Sequence, residues 1–410
     1  MITIQKPLVL PNTYPLERIG PLEDLLFFDI ETTGFSGDYA SLYLIGCTYY
    51  KENHWHLIQW FADTKDCEEE LLCAFFHFLE DYKILVHFNG DGFDLPFLLK
   101  RCRHFRLPYD FSAVESFDIY RRIRPYRRLL GLDSMKQKAI EQFLGVERED
   151  TFSGGELIEV YTAYLHNHSQ KLYDLLILHN EDDLKGMPRI LPVLNYPDFL
   201  EHEFCLVSWR LLDKTCSGSG SEAPAITALP SGAATASAKL LPSGIAAPAR
   251  GSLPPDTKST FLELVCESSY EIPAAFTTES EMVRCTAKGS RLCFTIRLYR
   301  GIMKHFYPNY KDYYYLIYED TAVHKSVGEY VDKSARTRAT ARTCYTRMEG
   351  IFVPQFSPIW EPVMKLEPKD KVPYAPLEQL RLEETDAFAR YLEQLFGQLG
   401  VKHPYNDKFR

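Results

Sequence analysis

The chain has 410 residues, 45% apolar, 25% charged and 14% aromatic, with a formal net charge of −10. These fractions exclude collagen-like and wholly disordered classes, and no run of about 18 apolar residues occurs, which excludes a spanning helix. Ten cysteines without a C-x-x-C pair read as small buried hydrophobes in a reducing compartment. Met1 to Pro15 lack the pattern of a secretory leader. The expectation is a cytoplasmic protein with no membrane partner.

In chain order, Leu25-Leu26-Phe27-Phe28-Asp29-Ile30 reads as a buried strand ending in a carboxylate. Ser41–Tyr50 and His54–Phe61 are strand-like, and Lys51-Glu52-Asn53 between them is a hairpin signal. Glu68–Tyr82 sets Leu71, Leu72, Phe75, Phe76 and Leu79 at helical spacing. Ile84–Phe88 is another strand, ending at Asn89-Gly90-Asp91-Gly92. Helical patterns follow at Phe97–Arg106, Met135–Phe143, Leu157–Leu165 and Leu172–Leu184. The order predicts an α/β fold in which helices cover a mixed sheet.

From Lys214 to Thr257 the composition collapses to Ser, Gly, Ala, Pro and Thr, which reads as a flexible linker. Three parts are therefore expected: a domain over 1–212, a linker over 213–257 and a smaller α+β domain over 258–410. The last carries strand-like runs at Phe261–Cys266, Leu292–Tyr299 and Tyr313–Tyr318. A helix-like stretch at Val323–Val331 and an amphipathic helix carrying Phe388, Tyr391, Leu392, Leu395, Phe396 and Leu399 follow. The negative charge belongs to the first part, where 21 Lys and Arg face 33 Asp and Glu.

Asp29 and Glu31 flank one residue in extended chain, so both carboxylates project from the same face. Like charges held this close resist ionisation unless a cation sits between them. Hard oxygen donors suit Mg²⁺ or Mn²⁺ rather than zinc. Asp94 follows the end of a second strand. In Leu178-His179-Asn180-Glu181-Asp182-Asp183-Leu184, His179 and Asp183 are four apart and share a helix face. A histidine beside a metal-binding carboxylate is placed to take a proton from water.

In this order, FFDIETTG, HFNGDGFD and HNEDD resemble the three exonuclease motifs of the DEDD superfamily, proteins of ribonuclease H-like fold. Asp29 and Glu31 match the first motif, Asn89, Phe93 and Asp94 the second, and His179 and Asp183 the third. The resemblance is closest to the YprB-like group and covers about residues 20–200. Phe117-Asp118-Ile119 and Leu144-Gly145-Val146-Glu147-Arg148 are similar to that group's intervening segments. Three residues separate His179 from Asp183, the spacing of the tyrosine-type branch rather than the histidine-type branch.

The resemblance implies a 3′→5′ exonuclease that hydrolyses single-stranded DNA or RNA with two divalent ions about 3.5–4 Å apart. Asp29, Glu31, Asp94 and Asp183 would hold them, and His179 would act as general base. Thr32 and Thr33 would approach the terminal nucleotide or simply form the turn. Phe93 would stack on a base or anchor the strand end. The basic stretches Lys100–Arg106 and Tyr120–Arg128, with Arg121, Arg122 and Arg124 foremost, are candidates for phosphate contact or solvated faces. In the last part, the tyrosines from Tyr307 to Tyr318 and nearby cations would bind nucleic acid, a protein partner, or only each other. Structure-selective endonucleolytic cleavage and a non-catalytic nucleic-acid-binding adaptor are the alternative functions.

Overall fold

A computed structural model describes residues 1–147, 154–215 and 258–401; most of the expected linker, 216–257, lies outside the described residues. The described chain divides into two units. The first holds Met1–Glu203 with Ser268–Thr277 and Ala287–Arg291, and the second holds the remainder. Among the described residues, no helix is long and apolar enough to cross a membrane.

The first unit is built on six strands: β1 (Ile2–Leu8), β2 (Leu25–Thr32), β3 (Leu42–Lys51), β4 (His54–Phe61), β5 (Ile84–His87) and β6 (Glu115–Asp118). Their order is β1-β4-β3-β2-β5-β6. The first four are antiparallel neighbours, whereas β5 and β6 run parallel to β2. The helices are α1 (Glu68–Leu79), α2 (Asp94–Phe105), α3 (Ile119–Ile123), α4 (Gln137–Leu144), α5 (Gly154–Asn167), α6 (Gln170–Ile190) and α7 (Asn195–Glu201). This is the mixed, helix-flanked sheet of the ribonuclease H-like fold.

Local sequence accounts for much of it. Lys51 pairs with His54 across a two-residue turn. Glu52 and Asn53 there both have positive φ, 52° and 64°, as a turn matching strand twist requires. Leu25 to Phe28 are continuously apolar because both faces of β2 are covered. On one face Phe28 stacks on Phe75 of α1, with ring centroids 5.6 Å apart. On the other, Asn180 of α6 reaches Asp29.

The structure adds two strands that the apolar pattern did not announce. Edge strand β1 pairs with β4 along its whole length, and its residues alternate between half-buried and exposed. Strand β6 is short, and only Phe117 and Asp118 of its four residues are buried.

Arg101, in the first basic stretch, turns inward rather than toward solvent. Its guanidinium donates to both oxygens of Glu68, at 2.6 and 2.9 Å, and to the Gly37 carbonyl at 3.1 Å. Glu68 in turn accepts from the Leu42 amide at 2.9 Å, tying α1 and α2 to the start of β3.

The second unit is β-rich. Strands β7 (Phe204–Thr215), β8 (Lys258–Glu279) and β9 (Val283–Arg297) form one sheet, of which β7 and the end portions of β8 and β9 belong to this unit. The next segments are β10 (Tyr299–Phe306), β11 (Tyr313–Leu316), β12 (Thr321–His324), the one-turn helix α8 (Lys325–Gly328) and β13 (Arg336–Arg338). After them come β14 (Tyr345–Pro354), β15 (Tyr374–Pro376) and the amphipathic helix α9 (Thr385–Gln398). The expected helix at Val323–Val331 shrinks to that single turn, because Thr321–His324 pairs with Tyr313–Leu316 instead. Tyr307, Tyr310, Tyr313 and Tyr315 pack against Ala322, Ala339 and Cys344, and Tyr318 is 70% exposed.

Arg101→Met leaves the Glu68 carboxylate buried without its cation. The expected loss is about 3–5 kcal/mol, measured by denaturant unfolding; a loss below about 1 kcal/mol would show that the pair does not hold the helices together.

Candidate functional site

Asp29 and Glu31 lie two apart on β2, on the face that α6 covers. Asp94 is the first residue of α2, seven residues past the end of β5. Along α6 the four-residue spacing puts His179 and Asp183 on the side facing the sheet. His179 Nε2 lies 3.5 Å from Asp183 Oδ2 and 3.7 Å from Glu31 Oε1. The acids thus gather at the carboxyl ends of parallel strands, where open α/β sheets form their crevices.

Burial, together with the charges of Asp183, Glu31 and Asp94, pushes the Asp29 carboxyl well above the ordinary carboxylate range, while a hydrogen bond from Asn180 opposes the rise. Burial, with Asp118 and Asp183 nearby, pushes Asp94 up to about 7 against hydrogen bonds from the backbone of Asp94 and Ile30. One ligand atom each from Glu31, His179 and Asp183 fall within 4.8 Å of one another. Crowded carboxylate oxygens with one imidazole fit a divalent cation, whose charge would offset their repulsion. His179 therefore stands among the possible ligands as well as in the position expected of a proton acceptor. Asp29 and Asp94 lie outside that tight triad but within its electrostatic reach.

The loop after β5 is held by a buried histidine. His87 Nδ1 accepts from the Gly90 amide at 3.0 Å, so its Nε2 carries the proton and donates to Ser116 Oγ at 2.8 Å. Ser116 passes the chain on to Asp91 Oδ1 at 2.5 Å, and Arg121 donates to Asp91 Oδ2 at 3.0 Å. A Cβ on Gly90 would fall 2.6 Å from the His87 ring. Asp118 accepts from the amides of Asn89, Asp91 and Arg121 at 2.9, 3.3 and 3.2 Å. It thereby caps α3 and fixes the loop that delivers Asp94.

The other sequence-predicted residues surround this cluster unequally. Thr32 Oγ1 donates to the Gly34 carbonyl and Thr33 Oγ1 accepts from the Ser41 amide, both at 2.8 Å, so both hydroxyls are engaged within the turn. The Phe93 ring packs edge-on against Phe35 at 6.4 Å, and Phe35 is 89% exposed. Asn89 is exposed, with φ at 65°. It borders a shallow cleft of about 390 Å³ with Phe88, Tyr120, Met135, Lys136 and Gln137. Arg121, Arg122 and Arg124 are exposed, and Arg122 lies 4.0 Å over the Phe117 ring.

Sequence reasoning missed the neutral residues behind Asp29. Asn180 and Gln59 are fully buried and hydrogen-bonded to each other at 2.9 Å; polar residues inside an otherwise ordinary strand and helix pattern carry no periodic signal. It also left Glu181 undifferentiated within the acidic run. Lys6 and Lys185 each lie 2.5 Å from that carboxylate. Burial, which would raise Glu181, is outweighed by these hydrogen bonds, and its pKa is lowered.

Residues 26–195 match the RNase_H_2 family model of the RNase_H superfamily; the first unit carries an RNase H-superfamily domain. A DNA polymerase of Pyrococcus glycovorans is 28% identical over 169 residues, a match covering 34% of this chain and 21% of that protein. DNA polymerase 1 of Aeropyrum pernix is 34% identical over 75 residues, covering 18% and 8%. The chain thus spans about a fifth or less of the length of these curated relatives. Among solved structures, the family B DNA polymerase of Pyrobaculum calidifontis aligns with a TM-score of 0.36 and 15% identity, over 43% of this chain and 25% of that one. The zinc-bound E. coli ExoI–ssDNA complex aligns with a TM-score of 0.25 and 16% identity, over 39% and 44%.

Burial holds the His87 pKa below its ordinary 6.5, against the charges of Asp118 and Asp91. Its contribution to stability is complete above about pH 6.5, where His87 is neutral both folded and unfolded. It declines as pH falls below that, because the unfolded chain takes up the proton first. Unfolding followed between pH 7.5 and 5 is expected to show a steeper loss in the wild type than in His87→Gln; equal slopes would count against this assignment.

Proposed function

We propose that the chain is a metal-dependent 3′→5′ exonuclease that hydrolyses phosphodiester bonds of single-stranded nucleic acid. The observation that carries the reading is the triad of Glu31, His179 and Asp183, whose ligand atoms lie within 4.8 Å of one another, with Asp29 and Asp94 near enough to feel the charge of Asp183. A protein that only bound a polyanion would have no use for four crowded carboxylates facing it. Of the two nucleic acids, DNA is the first to test, because the curated relatives are DNA polymerases.

Asp29, Glu31, Asp94 and Asp183 would hold two divalent ions, Mg²⁺ or Mn²⁺. The chemistry such ions supply when bound is a more acidic water and offset charge on the departing 3′ oxygen. His179 Nε2, facing Glu31 and Asp183, takes the proton from the water as its oxygen bonds to phosphorus and the bond to the 3′ oxygen breaks. Phe35 and Phe93 offer an aromatic edge on which the terminal bases stack. Thr32, Thr33 and Asn89 border the terminal nucleotide. Arg121, Arg122 and Arg124 lie on the surface beside the β5–α2 loop, where they meet backbone phosphates. The second unit, which begins with β7 ahead of the expected linker, serves as an accessory domain for nucleic acid or for a protein.

The test is incubation of 5′-labelled single-stranded DNA and RNA with Mg²⁺ or Mn²⁺. A ladder shortening from the 3′ end is expected for the wild type, abolished by EDTA and reduced at least 10³-fold, in order of magnitude, in Asp29→Ala and Asp183→Ala. His179→Ala should slow cleavage by roughly 10²–10⁴-fold. One internal cut would point to the endonuclease alternative, and binding without cutting under either metal would overturn the enzyme reading.

A further inference from the structure

Asp29, Gly46 and Gln59 stand side by side across β2, β3 and β4, and Asn180 of α6 lies over the middle position. A Cβ on Gly46 would fall 2.0 Å from Asn180 Oδ1, so only glycine admits the amide there. Asn180 Nδ2 donates to Asp29 Oδ2 at 2.9 Å and to the Asp29 carbonyl at 3.4 Å. Its Oδ1 accepts from Gln59 Nε2 at 2.9 Å, which also donates to the Ile177 carbonyl at 3.1 Å.

We infer that Asn180 and Gln59 are positioning residues that present Asp29 to bound cations, holding one carboxylate oxygen and leaving the other for metal. The inference rests on the metal-dependent reading above. The Ile177 carbonyl accepts only, so Gln59 must turn its NH₂ group toward α6. That orientation selects the oxygen end of Asn180, and the NH₂ end of Asn180 is then directed at Asp29. Gln59 thus determines, from two strands away, which group Asp29 meets.

Packing alone does not explain the arrangement. Gln59 Oε1 is buried with no hydrogen-bond partner among the described residues, a penalty that an aliphatic side chain would avoid. The choice of a neutral partner is informative as well. One residue along α6, Glu181 is neutralised by two lysines. Asp29 instead receives an uncharged donor, which fixes its orientation and leaves its negative charge for a divalent ion.

The experiment measures Mn²⁺ affinity of the full chain by the free-ion electron paramagnetic resonance signal, with thermal midpoints in EDTA and kcat and KM on single-stranded DNA. Asn180→Ala is expected to weaken Mn²⁺ binding about 10–100-fold and to lower kcat more than KM changes. Gln59→Leu, close in volume and free of the unpartnered oxygen, should keep or raise the thermal midpoint while weakening Mn²⁺ binding. Wild-type binding with both variants within twofold, or a drop in midpoint without a change in affinity, overturns the positioning role alone. A folded wild type that binds no Mn²⁺ overturns the metal reading and this inference with it.

Discussion

Helix α6 lies so close to the sheet that β3 accommodates it only through the missing side chain of Gly46. The contacts between the helix and strand members of the acidic cluster depend on that approach. It brings His179 and Asp183 up to Glu31, and Asn180 up to Asp29. The same device recurs on the helix's other side: a Cβ on Gly186 would fall 2.3 Å from Glu141 Oε1 of α4. The helix is therefore pinned between a sheet and a second helix at two glycines. His179, Asn180 and Asp183 lie on the turns beside these contacts, where a small shift would separate groups that must act together.

The acids of this unit fall into two kinds. Glu68, Glu181, Asp38 and Asp91 each have a cationic partner, Arg101, Lys6 with Lys185, Lys100 and Arg121 respectively. These are structural ties, and they occupy part of the basic side chains that a composition count would assign to a polyanionic ligand. Asp29 and Asp94 are different, because the charges around them are those of other acids and their ionisation is disfavoured. An electrostatic penalty left in place beside one that is relieved repeatedly elsewhere is the pattern that the proposed cation site would produce.

Much of this was readable from residue order. The unbroken apolar run before Asp29 fixed a doubly covered strand, the i, i+2 rule put Glu31 beside Asp29, and the i, i+4 rule put His179 beside Asp183. What escaped has specific causes. Strand β1 contains Lys6 and Pro7 and sits at an edge, so its half-buried residues do not stand out. Arg101 looked like a surface cation because Glu68, its partner, is 33 positions away. Val323 to Val331 has helical spacing locally, but pairing with β11 draws its first residues into a strand. The Asn180–Gln59 contact joins a helix to a strand 121 positions earlier, beyond any local pattern.

Those separations also bear on how the molecule is assembled. Asn180 reaches Asp29 across 151 positions, and β5 with the loop leading to Asp94 lies between them in the chain. Contacts of such range close late, after the entropy of a long loop has been overcome. An incompletely folded chain presents the first pair of acids without the helix that completes the cluster. Divalent cations, if they favour the finished cluster, draw the chain toward its native state by mass action, so the supply of metal would act on the yield of folded protein as well as on its chemistry.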